Sequence, residues 1–158
     1  MYNVLDIARY VINYSNEKDY GISNLKLQKI LYFIQAYFLM VSKDRQPCFK
    51  EDIEAWDFGP VVPEVYQEFK QYGSGSIPTI DSYVEFSGWD THRVAFDDGV
   101  INDQDKQFVK EIVDKFSRYS ATDLVRLTHN QDPWKNAYHP CENNVITNES
   151  IKEYFNDW

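Results

Sequence analysis

The chain has 158 residues with a formal net charge of −9, and aromatic residues make up 16% of it. A chain of this length can bury most of its apolar surface in one core, so we expect a single domain over residues 1–158. Strong negative charge repels phosphate backbones, which disfavours a general nucleic-acid binder and leaves room only for a local basic patch. The same charge favours a basic protein as partner.

The cysteines and the apolar segments predict a cytoplasmic protein. Cys48 and Cys141 are far apart and form no Cys-x-x-Cys pair, which is typical of a reduced cytosolic protein. The first ten residues lack the basic-then-apolar order of a signal peptide. The most apolar run, residues 25–41, is too polar and too short for a membrane span, so we expect no membrane contact. The polar residues that interrupt it are Lys26, Gln28, Lys29 and Gln35.

The first third of the chain predicts two helices and a strand. Apolar residues recur at helical spacing over 4–18, which indicates a first helix. Ser23 is a suitable N-cap for a second helix over 25–41, which is apolar on most sides and is therefore expected at the centre of the fold. A polar loop follows over 43–53, and residues 53–56 predict a short strand.

Residues 56–69, WDFGPVVPEVYQEF, combine two prolines and a glycine with several aromatic rings. Pro60 and Pro63 restrict their own φ angles and favour extended backbone at the residue before each of them. We therefore expect residues 56–64 to form an ordered turn, called the corner below. Pro63 then suits the first position of a helix that ends near Gly73.

The side chains of the corner are expected to divide between the core and the surface. Trp56 and Val61 are predicted to face inward, because two successive bends cannot turn every side chain the same way. Asp57, Phe58 and Glu64 are predicted to stay accessible. Two interpretations remain open: the corner closes the core, or its ordered loop carries a binding surface at low entropic cost.

The second half of the chain predicts a β-hairpin and further helices. Two alternating segments within 82–96 indicate the hairpin. Asn102 is a suitable cap for a helix over 103–117, which is expected to bury Phe108. Ser120 begins another helix and forms with Asp123 an imperfect capping box, in which Asp stands in place of Glu or Gln.

The last part of the chain predicts a turn with a short helix after residue 129, and a final helix capped by Thr147. The predicted fold class is thus mainly α: a compact bundle of about six helices around a central apolar helix, with a small β-hairpin.

The residues with catalytic or metal-binding potential form no recognisable set. His139 and Cys141 could ligate a metal, but zinc sites usually need four ligands. His129 lies at a predicted helix end, where an imidazole favourably meets exposed carbonyls. A hydrolase that uses His129 with Asp132 is a minor alternative. We therefore expect no enzyme activity, no metal and no cofactor.

Four blocks carry a family resemblance: SNLKLQKILYFIQAYFL (23–39), EDIEAWDFGPVVPEVYQEFKQYG (51–73), LTHNQDPW (127–134) and ITNESIKEYF (146–155). In this order they resemble the Panacea antitoxin domain, a family also known as SocA-like or phage-associated GepA-like proteins. Members often carry an N- or C-terminal extension, whereas here the blocks span nearly the whole sequence. The resemblance implies a compact, mostly α-helical domain of bacteria and their phages.

The resemblance also implies a function. Members neutralise unrelated protein toxins by direct contact, and at least one type resembles an adaptor that delivers its toxin to a cytosolic protease. We therefore expect an antitoxin with a basic toxin as partner. The alternative is a phage-encoded protein that binds and modulates a host enzyme or a defence protein. The predicted partner-binding residues are Asp57, Phe58, Gly59, Pro60, Glu64, Asp132 and Trp134.

Overall fold

The computed structural model describes residues 1–156, which form seven α-helices and five short strands. The protein is mainly α-helical with small β-sheets, as the sequence predicts. The short helix expected after residue 129 brings the number of helices to seven. The helices are α1 (Val4–Glu17), α2 (Asn24–Val41), α3 (Pro63–Phe69), α4 (Asp103–Lys115), α5 (Ala121–His129), α6 (Asp132–Ala137) and α7 (Asn148–Phe155).

The strands form two antiparallel sheets. β1 (Ile53–Trp56) is the middle strand of the first sheet, between β2 (Gly59–Val61) and β5 (Val145–Ile146). β3 (Ser82–Ser87) and β4 (Asp90–Ala95) form the second sheet, which is the predicted hairpin. The sequence predicts β1 and the hairpin. It does not predict β2 and β5, because two or three residues show no period.

Local capping signals define most helix starts, and the predicted N-caps are confirmed. Each of these side chains accepts a hydrogen bond from a backbone N–H of the first turn, a group that the helix itself leaves unpaired. At α5, Asp123 also accepts from the backbone of Ser120, which completes the capping box. The confirmed caps are Ser23, Asn102, Ser120 and Thr147.

Helix α2 packs against α1, α3, α4, α5 and α7, and against strand β2. Among its eighteen residues only Val41 is exposed. Aromatic rings fill much of the space around it: Phe33 stacks on Phe116, the C-terminal cap of α4, with ring centroids 4.4 Å apart. No helix within residues 1–156, α2 included, is long and apolar enough to cross a membrane.

Phe108 corrects one expectation about the core. The residue is half-buried rather than buried. Its ring lies edge-on to Tyr37 and Phe38 of α2, at centroid distances of 5.5 and 5.8 Å. The neighbouring Val109 is fully buried instead, because α4 turns that side of the helix towards the core.

Candidate functional site

The corner is a tight β-hairpin. Trp56 pairs with Gly59 in the β1–β2 ladder, so Asp57 and Phe58 alone form the turn. Gly59 has a φ of +107°, a conformation that residues with a side chain rarely adopt. Pro60 lies in β2, an edge strand of its sheet, where a missing N–H is tolerated.

The side chains of the corner divide between core and surface. Phe58 is 67% exposed and Val61 is 3% exposed. Asp57 and Glu64 are also exposed, as expected. Trp56 is half-buried rather than fully inward, and its ring lies edge-on to Tyr66 at 5.1 Å.

Gly59 and Pro60 are both buried. These two members of the predicted partner-binding set therefore set the backbone conformation of the turn and are not available to a partner. The exposed surface of the turn is formed by the side chains of Asp57 and Phe58.

Three polar side chains of α2 hold the backbone of the corner and the start of α3. Lys29 Nζ donates a hydrogen bond to the carbonyl of Pro60 at 3.1 Å. Gln28 Oε1 accepts from the backbone N–H of Val62 at 2.9 Å, and its Nε2 donates to Asn24 Oδ1 at 2.9 Å. Since these residues are buried, the corner is joined to α2 by direct hydrogen bonds shielded from water.

Sequence reasoning missed Asn24, Gln28 and Lys29, although a signal was present. In the sequence, Gln28 and Lys29 stand out only as polar interruptions of an apolar helix. Polar residues on the buried side of such a helix must find partners, because an unpaired buried donor or acceptor is costly. Which backbone they hold is visible only in the fold.

Helix α6 holds the corner from another side. Trp134 Nε1 donates to the carbonyl of Trp56 at 2.8 Å. Its indole also stacks between the rings of His129, at 4.0 Å, and Tyr138, at 4.5 Å. The Tyr138 hydroxyl donates to Asp57 Oδ1 at 2.5 Å, and this bond raises the pKa of Tyr138. Trp134 thus supports the turn from within the fold.

Asp132 lies apart from the turn. It is exposed in the first turn of α6 and lines a depression of about 340 Å³ together with residues of α7. The predicted partner-binding residues therefore fall in three places: the turn surface, the support beneath it and this separate depression.

A cleft of about 540 Å³ opens beside the turn. Its lining includes the apolar or aromatic side chains of Leu25, Trp56, Phe58 and Tyr66. Charged side chains border it, namely Asp57, Lys70 and Glu142. An apolar cleft with charged borders suits a protein segment that combines apolar and charged side chains.

His129 packs as part of the support rather than as a helix cap. Burial lowers its pKa, although a hydrogen bond with the backbone of Asp57 acts in the opposite direction. Its Nε2 atom is buried and has no hydrogen-bond partner among the described residues. The C-terminal cap of α5 is Asn130 instead, whose Nδ2 donates to the carbonyl of Arg126 at 3.0 Å.

Within residues 1–156, no group of three or more histidine, cysteine, aspartate or glutamate side chains is arranged to hold a metal ion. Cys48 and Cys141 are both unpaired.

The comparison with known proteins agrees with the family resemblance. The family described as Antitoxin SocA-like, Panacea domain matches residues 27–135. The chain is 35% identical over 133 residues to Antitoxin SocA of Caulobacter vibrioides (strain NA1000 / CB15N), a match that covers 81% of this chain and 66% of that protein. The chain thus spans about two thirds of that curated relative. No solved structure matches the chain. The corner, Lys29 and Trp134 all lie within the matched residues, and the chain belongs to the SocA-like Panacea antitoxin domain family.

Proposed function

We propose that this protein is an antitoxin that neutralises a cognate protein toxin by binding it directly, with the corner at the middle of the contact surface. The observation that carries the proposal is the position of Phe58. This large ring is 67% exposed at the tip of a turn whose backbone is hydrogen-bonded to the buried Lys29 on one side and to the half-buried Trp134 on the other.

The physical reason is the entropy of binding. A flexible loop must lose conformational freedom when it binds, and this loss weakens the complex. Here the turn is already ordered, so burying Phe58 in a partner would retain most of the hydrophobic gain. A buried aromatic anchor on a rigid support is typical of an interface hot spot.

The charges support a basic toxin as the partner. Asp57 and Glu142 line the cleft beside the turn, Glu64 is exposed in the first turn of α3, and the chain carries a formal net charge of −9. Opposite charge on the toxin would speed the encounter and align the two surfaces. Asp132, in the separate depression beside α7, would provide a second acidic contact.

Two further parts of the proposal rest on other grounds. A cytosolic protease as a second partner rests on the family resemblance. A cytoplasmic location rests on the unpaired state of Cys48 and Cys141.

The test is co-expression with the product of the neighbouring gene, followed by affinity measurement. The parent should rescue growth and co-purify with that product. Phe58→Ala should weaken binding by about 2 kcal/mol or more if Phe58 is a hot spot. Phe86→Ala is the matched control, because Phe86 is also exposed but lies on β3 of the other sheet.

Stability must be measured beside affinity. Trp56→Ala should lower the free energy of unfolding by roughly 2–3 kcal/mol, below the loss for a fully buried ring. Phe58→Ala should lower it much less. If Phe58→Ala destabilises as much as Trp56→Ala and leaves affinity unchanged, the corner only closes the core. A neighbouring product that is harmless alone, together with a host protein bound at the corner, would favour the phage-encoded modulator.

A further inference from the structure

Lys29 and Gly59 fit one another closely. The lysine side chain runs from α2 beneath Gly59 to the carbonyl of Pro60. A Cβ atom at Gly59 would lie 2.6 Å from Lys29 Cε and 3.0 Å from Thr128 Oγ1. A separation of 2.6 Å is far below van der Waals contact, so the turn can sit this close to α2 only because residue 59 has no side chain.

The burial of Lys29 is costly for the fold. The residue is 0% exposed, and among residues 1–156 its amine makes one hydrogen bond, to Pro60. His129 of α5 lies close enough for its charge to oppose that of Lys29. The other titratable groups of α5 and of the corner, Asp123, Arg126, Asp57 and Glu64, are exposed. Among the described residues none of them is hydrogen-bonded to the amine, and the Asp57 carboxylate accepts from Tyr138. An apolar side chain of similar length would fill the space at lower cost.

We propose that Lys29 is the positioning residue of the corner, and that its hydrogen bond to Pro60 holds the Asp57–Phe58 turn in the conformation that a partner meets. The inference rests on the proposed function only for the partner; the positioning itself is a property of the free protein. Lys29 acts through the backbone of β2, while Phe58 provides the contact.

A pH dependence follows from this geometry. Burial lowers the pKa of Lys29 from its ordinary value of 10.5 to about 7. When the corner opens, the amine meets water and regains its ordinary pKa, so opening takes up a proton between these two pH values. Opening therefore becomes harder as the pH rises from 7, by up to about tenfold for each pH unit.

Hydrogen exchange of the free protein tests the positioning directly. The reporter is the Val62 amide, which donates to Gln28 two residues after Pro60. Corrected for the intrinsic rate, its protection in the parent should increase between pH 7 and pH 8.5. Lys29→Met keeps the apolar stem and removes the amine. In this variant the slope, meaning the increase of Val62 protection with pH, should disappear.

Lys26→Met is the matched control. Lys26 also lies on α2 and donates to a backbone carbonyl, but that carbonyl belongs to Ser117, away from the corner. This variant should keep the slope of the parent. The proposal is overturned if Lys29→Met keeps that slope, or if Lys26→Met loses it equally.

A second measurement does not depend on the folding of Lys29→Met. Gly59→Ala leaves Lys29 in the chain, but the new Cβ displaces the lysine side chain from the turn. The hydrogen bond to Pro60 should then be lost, and protection of the Val62 amide should fall at least tenfold. Partner affinity should fall with it. Gly88→Ala controls for the strain of a side chain at positive φ, since Gly88 has a φ of +62° and open space around it. Equal losses of affinity in the two variants would contradict the proposal.

The two proposals can fail separately. If the Val62 slope depends on Lys29 while Phe58→Ala leaves affinity unchanged, Lys29 positions a turn that is not the toxin contact. If Phe58→Ala weakens binding while Lys29→Met changes neither exchange nor affinity, the contact stands and the positioning role is wrong.

Discussion

The indole of Trp134 donates a hydrogen bond of 2.8 Å to the backbone carbonyl of Trp56, which lies 78 residues earlier in the chain. This contact joins the corner to α6, which follows it in the chain, whereas Lys29 and Gln28 join it to α2, which precedes it. The backbone of the corner is therefore held by residues from before and after it in the chain. A turn held in this way can expose Phe58 without becoming flexible.

Trp134→Phe tests the contribution of that hydrogen bond. Phenylalanine keeps an aromatic ring between His129 and Tyr138 but has no N–H, so the carbonyl of Trp56 loses its donor. We expect the free energy of unfolding to fall by about 1 kcal/mol, as measured by urea unfolding. Trp89→Phe is the control, because Trp89 is fully exposed in the β3–β4 turn. If both variants lose the same stability, the hydrogen bond contributes nothing measurable.

Leu31→Ala and Ile34→Ala test whether α2 is the structural centre of the bundle. Both residues are 0% exposed, so each change should leave a cavity and cost about 2–5 kcal/mol. Val41→Ala, at the exposed end of the same helix, should cost less than about 1 kcal/mol. Melting temperatures for Leu31→Ala and Ile34→Ala within a degree or two of the parent would show that the core tolerates loss of α2 packing.

The buried amine of Lys29 predicts an unusual pH dependence of global stability. The unfolded chain keeps the ordinary pKa of 10.5 and so binds a proton that the folded chain has released above a pH of about 7. Stability should therefore rise from pH 7 to pH 8.5, by up to roughly 1.4 kcal/mol for each pH unit. Burial raises the pKa of the Cys48 thiol, which opposes this rise once the pH approaches its ordinary value of 9.0.

Urea unfolding at several pH values measures this effect. In Lys29→Met the rise between pH 7 and pH 8.5 should disappear, while Lys26→Met should retain most of it. A parent protein whose stability is flat over this range would show that the Lys29 amine is hydrated or paired when folded.

His129→Ala separates a structural role from a catalytic one. The variant loses the stacking of His129 on Trp134, so we expect a modest loss of stability and little change in partner affinity. Toxin neutralisation should persist in cells. A folded variant that binds its partner with parental affinity yet no longer neutralises it would favour the hydrolase that uses His129 with Asp132.

Features that depend on neighbouring residues could be predicted from the sequence. Ser23, Asn102, Ser120 and Thr147 mark helix starts because a cap bonds to an amide only two or three residues away. Pro63 begins α3 for an equally local reason, since its fixed φ suits the first helical turn. The exposure of Asp57 and Phe58 could also be predicted from the sequence, because Gly59 and Pro60 restrict the backbone of so short a turn.

The groups that support that turn could be identified only in the folded protein. Lys29 reaches Pro60 across 31 residues, and Tyr138 reaches Asp57 across 81. Strands β2 and β5 exist only because β1 pairs with both. Such contacts leave no periodic pattern, since each depends on how distant elements pack and on which buried polar group needs a partner. For this reason the sequence predicted an ordered corner with an exposed ring, and the fold revealed the buried lysine beneath it.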